Sequence, residues 1–259
     1  MKTKHLLIIG LTASSLAIGS SQAIAASFLI DTFDVPISSP PGFPLPDTGT
    51  NPIFLNGPGQ MATNTFTGPT NQVIGGQREI KFTQTTSLAP GLSSNASVFT
   101  GSGNYDGFFD LDNNSKTNSK AELTWNNMMA TGQQNFNVLS GANDEKGIKI
   151  DYSSEGIAFN LQLIVFDGMN ASTVTKSFNP GGVATDDSAL FSFDEILMGG
   201  PVDLSMVNYV KLIITGNRGF DLSINQIGTY EIPEPSTLLG LLAVFSTGAF
   251  SLKRKTEEK

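Results

Sequence analysis

The chain of 259 residues contains no cysteine and a single histidine, His5. The lack of cysteine excludes disulfides and thiolate catalysis, and the lack of histidine after position 5 excludes histidine general bases, Ser-His-Asp triads and histidine-ligated zinc from the rest of the chain. The formal charge of −8 describes an acidic protein that repels phosphate backbones, which argues against a nucleic-acid partner.

The first 25 residues have the composition of an export signal. Two lysines precede an apolar run, and Ala23-Ile24-Ala25 fits the small-x-small pattern that signal peptidase reads. We therefore expect a signal peptide at residues 1–25, with Ala23 and Ala25 at the cleavage site. An N-terminal membrane anchor is the alternative, although the apolar core is short for a spanning helix.

Residues 26–231 are expected to form the exported domain. The leader contributes two lysines and the segment after Pro235 contributes two net positive charges, so residues 26–235 carry a formal charge of −12. This length suits one domain with a core large enough to need no disulfides. Residues 34–70 are rich in Pro, Gly, Thr and Asn, which predicts an irregular arm.

Short β-rich runs separated by polar clusters follow this arm. The expected strands are 78–83, 121–125, 147–152, 158–167, 173–178, 189–193, 209–215 and 220–230. The run 158–167 is the longest apolar one and is expected to form a central strand. No stretch keeps a helical period over about 11 residues. The pattern predicts an all-β fold, a single β-sandwich or jelly-roll-like domain.

Residues 95–118 are polar and predict a second long loop, which contains a weak calcium candidate. Asp110, Asp112 and Asn114 begin with the spacing of an EF-hand loop, and oxygen-rich loops bind Ca²⁺. The pattern then fails, because Ser115 stands where such a loop needs glycine and no helices flank it. The alternative is a solvated turn, since Asp and Asn are common turn formers.

Aromatic residues in and after this loop suggest a platform for sugar rings. Tyr105 and Trp125 are the carbohydrate candidates, together with Phe108 and Phe109. Stacking on sugar requires exposed rings, whereas 18 phenylalanines against one tryptophan favour a role in the core. Both interpretations stay open at this point.

Three pairs of adjacent carboxylates were considered for catalysis, namely Asp144-Glu145, Asp186-Asp187 and Asp194-Glu195. A glycosidase needs two carboxylates that face each other about 5–9.5 Å apart. Neighbours along a strand point to opposite faces, so these pairs do not meet that need by themselves. We assign no catalytic residue and expect no enzymatic activity. A carboxylate-only polysaccharide hydrolase is the alternative, because it needs no histidine.

The C-terminal segment combines three features. Pro233-Glu234-Pro235 is expected to be extended, because each proline constrains φ and lacks an N–H. The following 17 residues, 236–252, carry no charge and match the lower limit of a bilayer-spanning helix. Lys253-Arg254-Lys255 comes next and is expected to stay on the cytoplasmic side, which leaves the domain outside.

This order of Pro-Glu-Pro, apolar helix and short basic cluster resembles the PEP-CTERM sorting signal. The resemblance covers residues 232–259, with isoleucine at 232 where valine is common. It implies that an exosortase recognises Pro233, Glu234 and Pro235, removes the helix and passes the protein to the cell surface. An ordinary single-span anchor that is retained uncut is the alternative.

The expected function follows from that resemblance and from the missing catalytic groups. Proteins with such tails are generally linked with exopolysaccharide and biofilm material. The resemblance therefore implies an exported, non-catalytic cell-surface or extracellular-matrix protein, with signal peptidase and exosortase as processing enzymes and exopolysaccharide as partner. A lectin-like carbohydrate-binding module is the first alternative and the hydrolase is the second. No cofactor is expected beyond the weak Ca²⁺ candidate.

Overall fold

The computed structural model describes residues 29–33, 53–55, 57–67, 73–88, 92–99, 107–126, 134–136, 145–179, 181 and 183–231. The expected signal peptide, the Pro-Glu-Pro motif, the apolar segment 236–252 and the basic cluster lie outside the described residues. Within the described ranges, no helix is both long and apolar enough to cross a membrane.

The described residues form β-strands almost throughout. The strands are β1 Leu29–Asp31, β2 Ile53–Leu55, β3 Met61–Thr67, β4 Gln77–Ser87, β5 Ser94–Phe99, β6 Phe108–Asn113, β7 Thr117–Asn126, β8 Lys146–Glu155, β9 Phe159–Phe166, β10 Ala171–Phe178, β11 Val183–Ser192, β12 Tyr209–Gly216 and β13 Asp221–Glu231. A 3-10 turn covers Ile74–Gly76, and a short helix, α1, covers Phe193–Met198.

The described strands pair in two antiparallel sheets. Sheet I has the order β11-β8-β13-β6-β5-β2, and β1 pairs with the second half of β13. Sheet II has the order β10-β9-β12-β7-β4-β3. Every second residue of each sheet points to the other sheet, so buried and exposed positions alternate along the strands.

The core lies between the two sheets. Fully buried apolar side chains come from both, including Ile150, Leu222, Phe82, Leu123, Leu163 and Leu212. Each such side chain gains about 1.5–3 kcal/mol from leaving water. The two packed antiparallel sheets confirm the predicted all-β sandwich.

Most of the expected strands are present with extended ends. The alternating runs around 78–83, 121–125 and 147–152 lie within β4, β7 and β8. The run 158–167 forms β9, but β9 lies one strand in from the edge strand β10 and is not central. β9 is apolar over most of its length because one of its faces is buried and most of the other is half-buried.

Two segments that the sequence predicts as irregular contain strands. β2 and β3 lie within the expected arm 34–70. β6 lies within the expected loop 95–118, and β5 lies within it except for its first residue, Ser94. β3 and β5 are rich in Asn, Ser and Thr, so their β-structure depends on pairing with their partners β4 and β6. Such tertiary pairing overrides local propensity.

Candidate functional site

Trp125 does not present a ring to solvent. Its exposed fraction is 0%, and its Nε1 donates to Oδ2 of Asp31 at 2.7 Å. Nη1 of Arg78 donates to the same carboxylate oxygen at 2.6 Å, and the backbone N–H of Phe33 donates to Oδ1. The prediction of Trp125 as a sugar platform is therefore wrong, because a buried carboxylate 94 residues earlier in the chain holds the indole in the core. Tyr105 lies outside the described residues.

The weak calcium candidate does not form an EF-hand loop. Asp110 and Asp112 belong to strand β6, and Asn114 lies in the turn after it. Asp110 accepts a hydrogen bond from Oγ of Ser223 at 2.8 Å, and Asp112 accepts one from Nδ2 of Asn95 at 3.1 Å. Extended backbone spreads these oxygens along the sheet, whereas an EF-hand loop curls around its ion. Across the described ranges, no three acidic or histidine side chains gather in a way that could hold a metal ion.

A shallow acidic depression lies on the outer face of sheet I. Its volume is about 220 Å³, and Asp110, Glu155 and Asp221 contribute its charged lining. Asp221 lies directly opposite Asp112 in the register of β13 and β6. Burial, followed by the charges of Asp112, Asp110 and Glu155, raises the pKa of Asp221 to about 6. Like charges placed opposite each other destabilise a strand pair.

We expect the Asp221→Asn variant to be more stable than the parent at pH 7.5. Because the folded-state pKa is raised, the folded protein binds the proton more tightly, so the parent gains stability as the pH falls through about 6 towards 4. Because solvent screens the charges at this half-exposed site, we expect the parent's free energy of unfolding to rise by about 1 kcal/mol over this pH range. Urea denaturation at pH 5 and 7.5 measures this gain. An equal difference between the two proteins at both pH values would contradict the assignment.

The three carboxylate pairs do not form facing pairs among the described side chains. Asp187 accepts a hydrogen bond from the Tyr152 hydroxyl at 3.2 Å, and Glu195 completes a capping box with Ser192 at the start of α1. These contacts are structural. Asp144 and the side chain of Asp186 lie outside the described part.

A second depression lies at the end of sheet II, where β10 and β12 end and β9 begins. Its volume is about 190 Å³. The lining residues are Ala158, Phe159, Asn160, Ser177, Phe178, Asn179, Thr215 and Asn217. None of these side chains ionises, and five of them carry amide or hydroxyl groups. We call this depression the asparagine pocket.

The polar wall of the asparagine pocket is a row across three strands. Asn160 of β9 lies directly opposite Ser177 of β10 on one side and Thr215 of β12 on the other. Oγ of Ser177 donates to Oδ1 of Asn160 at 2.6 Å. Nδ2 of Asn217 donates to the carbonyl of Ala158 at 3.3 Å. These hydrogen bonds orient two of the three amides before any ligand arrives.

The apolar wall is an aromatic stack that continues into the core. Phe178 stacks on Phe159, with ring centroids 5.0 Å apart and an interplanar angle of 15°. Tyr152 meets both rings edge-on, at 5.4 Å from Phe159 and 5.7 Å from Phe178. Phe178 is only half-buried, so the stack supports a ring that borders the pocket. Held from two sides, this ring loses little freedom when a ligand packs against it.

A different aromatic pair lies on the outer face of sheet II. Phe166 and Tyr209 stack at 4.8 Å, and each is half-buried. The same face carries Glu122, which lies 2.8 Å from Lys120 and 3.6 Å from Lys211. Thr215 of the asparagine pocket lies on this face as well, directly opposite Lys120, so these charges border the pocket although none lines it.

The sequence predicts none of the polar residues of the asparagine pocket as site residues. One weak signal is Asn160, which interrupts the apolar β9 together with Gln162 and is exposed. Ser177, Asn179 and Asn217 belong to polar turn and strand ends that resemble many others in the chain.

No protein-family model matches the chain, and no curated protein matches it either. Among solved structures, it is similar to a family 30 carbohydrate-binding module of a cellulosomal cellulase of Clostridium thermocellum, at 12% identity and a TM-score of 0.37 over 54% of this chain and 83% of that one. A family 11 carbohydrate-binding module of Clostridium thermocellum, in complex with a mixed-linked tetrasaccharide, is similar at 8% identity and a TM-score of 0.32 over 80% of this chain and 97% of that one. Likenesses of this size carry no functional conclusion.

Proposed function

We propose that this protein is a non-catalytic carbohydrate-binding β-sandwich that acts outside the cytoplasm, with a neutral polysaccharide as its ligand. The observation that carries the proposal is the asparagine pocket, a depression at the end of sheet II that is lined by five amide or hydroxyl side chains and by the half-buried Phe178. Sugars offer hydroxyl groups that both donate and accept hydrogen bonds, and C–H faces that pack on aromatic rings. A pocket of this kind needs few polar groups if they are well placed.

Charge supports a neutral ligand. The eight lining residues of the asparagine pocket carry no ionisable group, while residues 26–235 carry a formal charge of −12. An acidic surface repels anionic polymers at low ionic strength. Uronic-acid polymers and nucleic acids are therefore disfavoured at this pocket.

The proposal includes export and surface display. The leader at residues 1–25 and the segment 232–259 support it, because the two point to the same topology. In this proposal signal peptidase and an exosortase process the chain, and the domain is delivered to the cell surface or the extracellular polymer matrix. A non-catalytic binder of matrix polysaccharide suits that place.

The Asn217→Ala variant tests the ligand site. We expect it to weaken binding to a neutral polysaccharide about tenfold, because the substitution removes one hydrogen-bonding amide of the pocket and frees the loop that it holds. Affinity electrophoresis in gels that contain dextran, mixed-linkage β-glucan or alginate measures this change.

Gln162→Ala is the matched control. Gln162 lies two residues after Asn160 on the same face of β9 and donates to Thr175, outside the pocket. We expect binding by this variant to be unchanged. Retardation by alginate alone, or equal losses in both variants, would overturn the proposed site.

A further inference from the structure

Exposed methionines gather at the end of the sandwich opposite the asparagine pocket. Met169 is 88% exposed, Met198 80% and Met206 45%, and Leu197 beside them is 38% exposed. Large apolar side chains that are exposed together mark contact surfaces more often than single ones do. We call the surface formed by these four residues the methionine end.

Hydrogen bonds fix the segments of the methionine end to each other. The carboxylate of Asp167 accepts from the backbone N–H of Met169 at 2.7 Å and from that of Asp203 at 2.9 Å. The backbone N–H of Asn170 donates to the same carboxylate at 2.6 Å. This bond, followed by those from Asp203 and Met169, lowers the pKa of Asp167 to about 2, so the group is ionised at all ordinary pH values. The N–H of Thr173 donates to the carbonyl of Gly199, next to Met198. The β9–β10 turn, the end of α1 and the loop before β12 therefore form one surface.

The chain leaves the sandwich at this end. The last residue of β13, Glu231, pairs with Lys146, and the neighbouring Gly147 pairs with Ser192, the N-cap of α1. The uncharged run begins at Ser236, five residues after Glu231. Five extended residues span at most about 17 Å, so a bilayer that contained this run would lie close to the methionine end.

We propose that the methionine end contacts the lipid surface while residues 236–252 are in the membrane. This inference rests on the proposed sorting tail and is independent of the glycan site. Asp194 and Asp203 are exposed nearby, so the surface fits headgroups without net charge better than anionic ones. Methionine adapts to irregular apolar surroundings, which suits contact with mobile lipid.

The orientation has a consequence for the ligand site. β12 runs from the methionine end at Tyr209 to Thr215 of the asparagine pocket, a distance of about 20 Å. If the methionine end contacts the bilayer, the asparagine pocket lies at the end of the sandwich that is farther from the bilayer. Polysaccharide outside the cell would then reach the pocket without approaching the lipid.

Methionine oxidation in reconstituted vesicles tests this orientation. The full chain is placed in phosphatidylcholine vesicles and exposed to hydrogen peroxide, and sulfoxide formation at each methionine is measured by mass spectrometry. Met61 is the internal control, because it is 57% exposed and lies at the opposite end of sheet II. We expect Met169 and Met198 to oxidise at least about threefold more slowly than Met61, although both are more exposed in the sandwich.

A second preparation tests whether the tail brings the methionine end to the lipid. About twenty glycine and serine residues inserted after Glu231 lower the effective concentration of lipid at the methionine end, so protection of Met169 and Met198 should fall. Oxidation of these residues at or above the rate of Met61 in the parent would overturn the proposal. Protection that disappears when the protein is diluted in excess lipid would also overturn it, since a second copy of the chain would then be the partner.

Discussion

Replacing Asp31 with alanine is expected to lower the free energy of unfolding by about 3–5 kcal/mol. Both Asp31 and Arg78 have side-chain exposures of 0%, and the carboxylate accepts hydrogen bonds from Arg78, Trp125 and Phe33. The substitution leaves the guanidinium buried without its countercharge, and it leaves the indole N–H without its acceptor. Because whole domains are stable by only about 5–15 kcal/mol, the variant should unfold at much lower urea concentration.

The double variant Asp31→Leu with Arg78→Met controls for the loss of the charge pair. Apolar side chains of similar volume restore packing and remove both buried charges, which is often neutral. We expect the double variant to recover more than half of the stability lost in Asp31→Ala. Equal unfolding midpoints for the single and double variants would show that the ion pair is not the cause.

Replacing Gly147 with alanine is expected to cost about 3 kcal/mol of unfolding free energy. A Cβ at this position would overlap the backbone carbonyl oxygen of Phe191 and lie 2.8 Å from Cα of Ser192. Both atoms belong to the backbone of β11, which pairs with β8 at this point, so relief requires separating two strands. Thermal denaturation followed by circular dichroism measures the effect.

Gly57→Ala is the matched control for Gly147. A Cβ at position 57 would meet only the side chain of Gln60, at 3.7 Å, which is an ordinary contact. The Gly57 variant should melt within a few degrees of the parent, because a cost well under 1 kcal/mol shifts a domain of this size very little. Equal losses in the two variants would show that the close strand approach at Gly147 is not the cause.

The strands that could be predicted are those whose apolar residues alternate. The sequences of β4, β8 and β12 predict strands because one face of each is buried in the core, so that apolar residues alternate along them. β3 and β5 are rich in Thr, Ser and Asn. They pair with β4 and β6, and their local sequences do not indicate these partners. The length of the polar stretches predicts irregular structure, whereas in the fold pairing across the sheet satisfies their backbone groups.

The candidate site could be predicted much less well than the fold. The residue type of Trp125 suits stacking on sugar, but its burial depends on Asp31, which is far away in the sequence. The asparagine pocket combines residues of β9, the end of β10 and the turn after β12, which only the sheet order brings together. A site built from neutral amides also has no distinctive residue spacing in the sequence, whereas metal and catalytic motifs do.

The asparagine pocket and the Phe166–Tyr209 face are two different candidate sites for a glycan. The first is neutral and oriented by its own hydrogen bonds, and the second lies beside the charges of Glu122 and Lys211. Mapping the contact residue by residue distinguishes the two.

The most direct test is an NMR titration of the domain with a neutral mixed-linkage glucan oligosaccharide. The side-chain amide signals of Asn160, Asn179 and Asn217 should shift and saturate together, and those of Gln162 should stay in place. Such a result would place the ligand in the asparagine pocket. Shifts confined to the Phe166–Tyr209 face, or no shifts with any neutral glycan, would contradict the central claim.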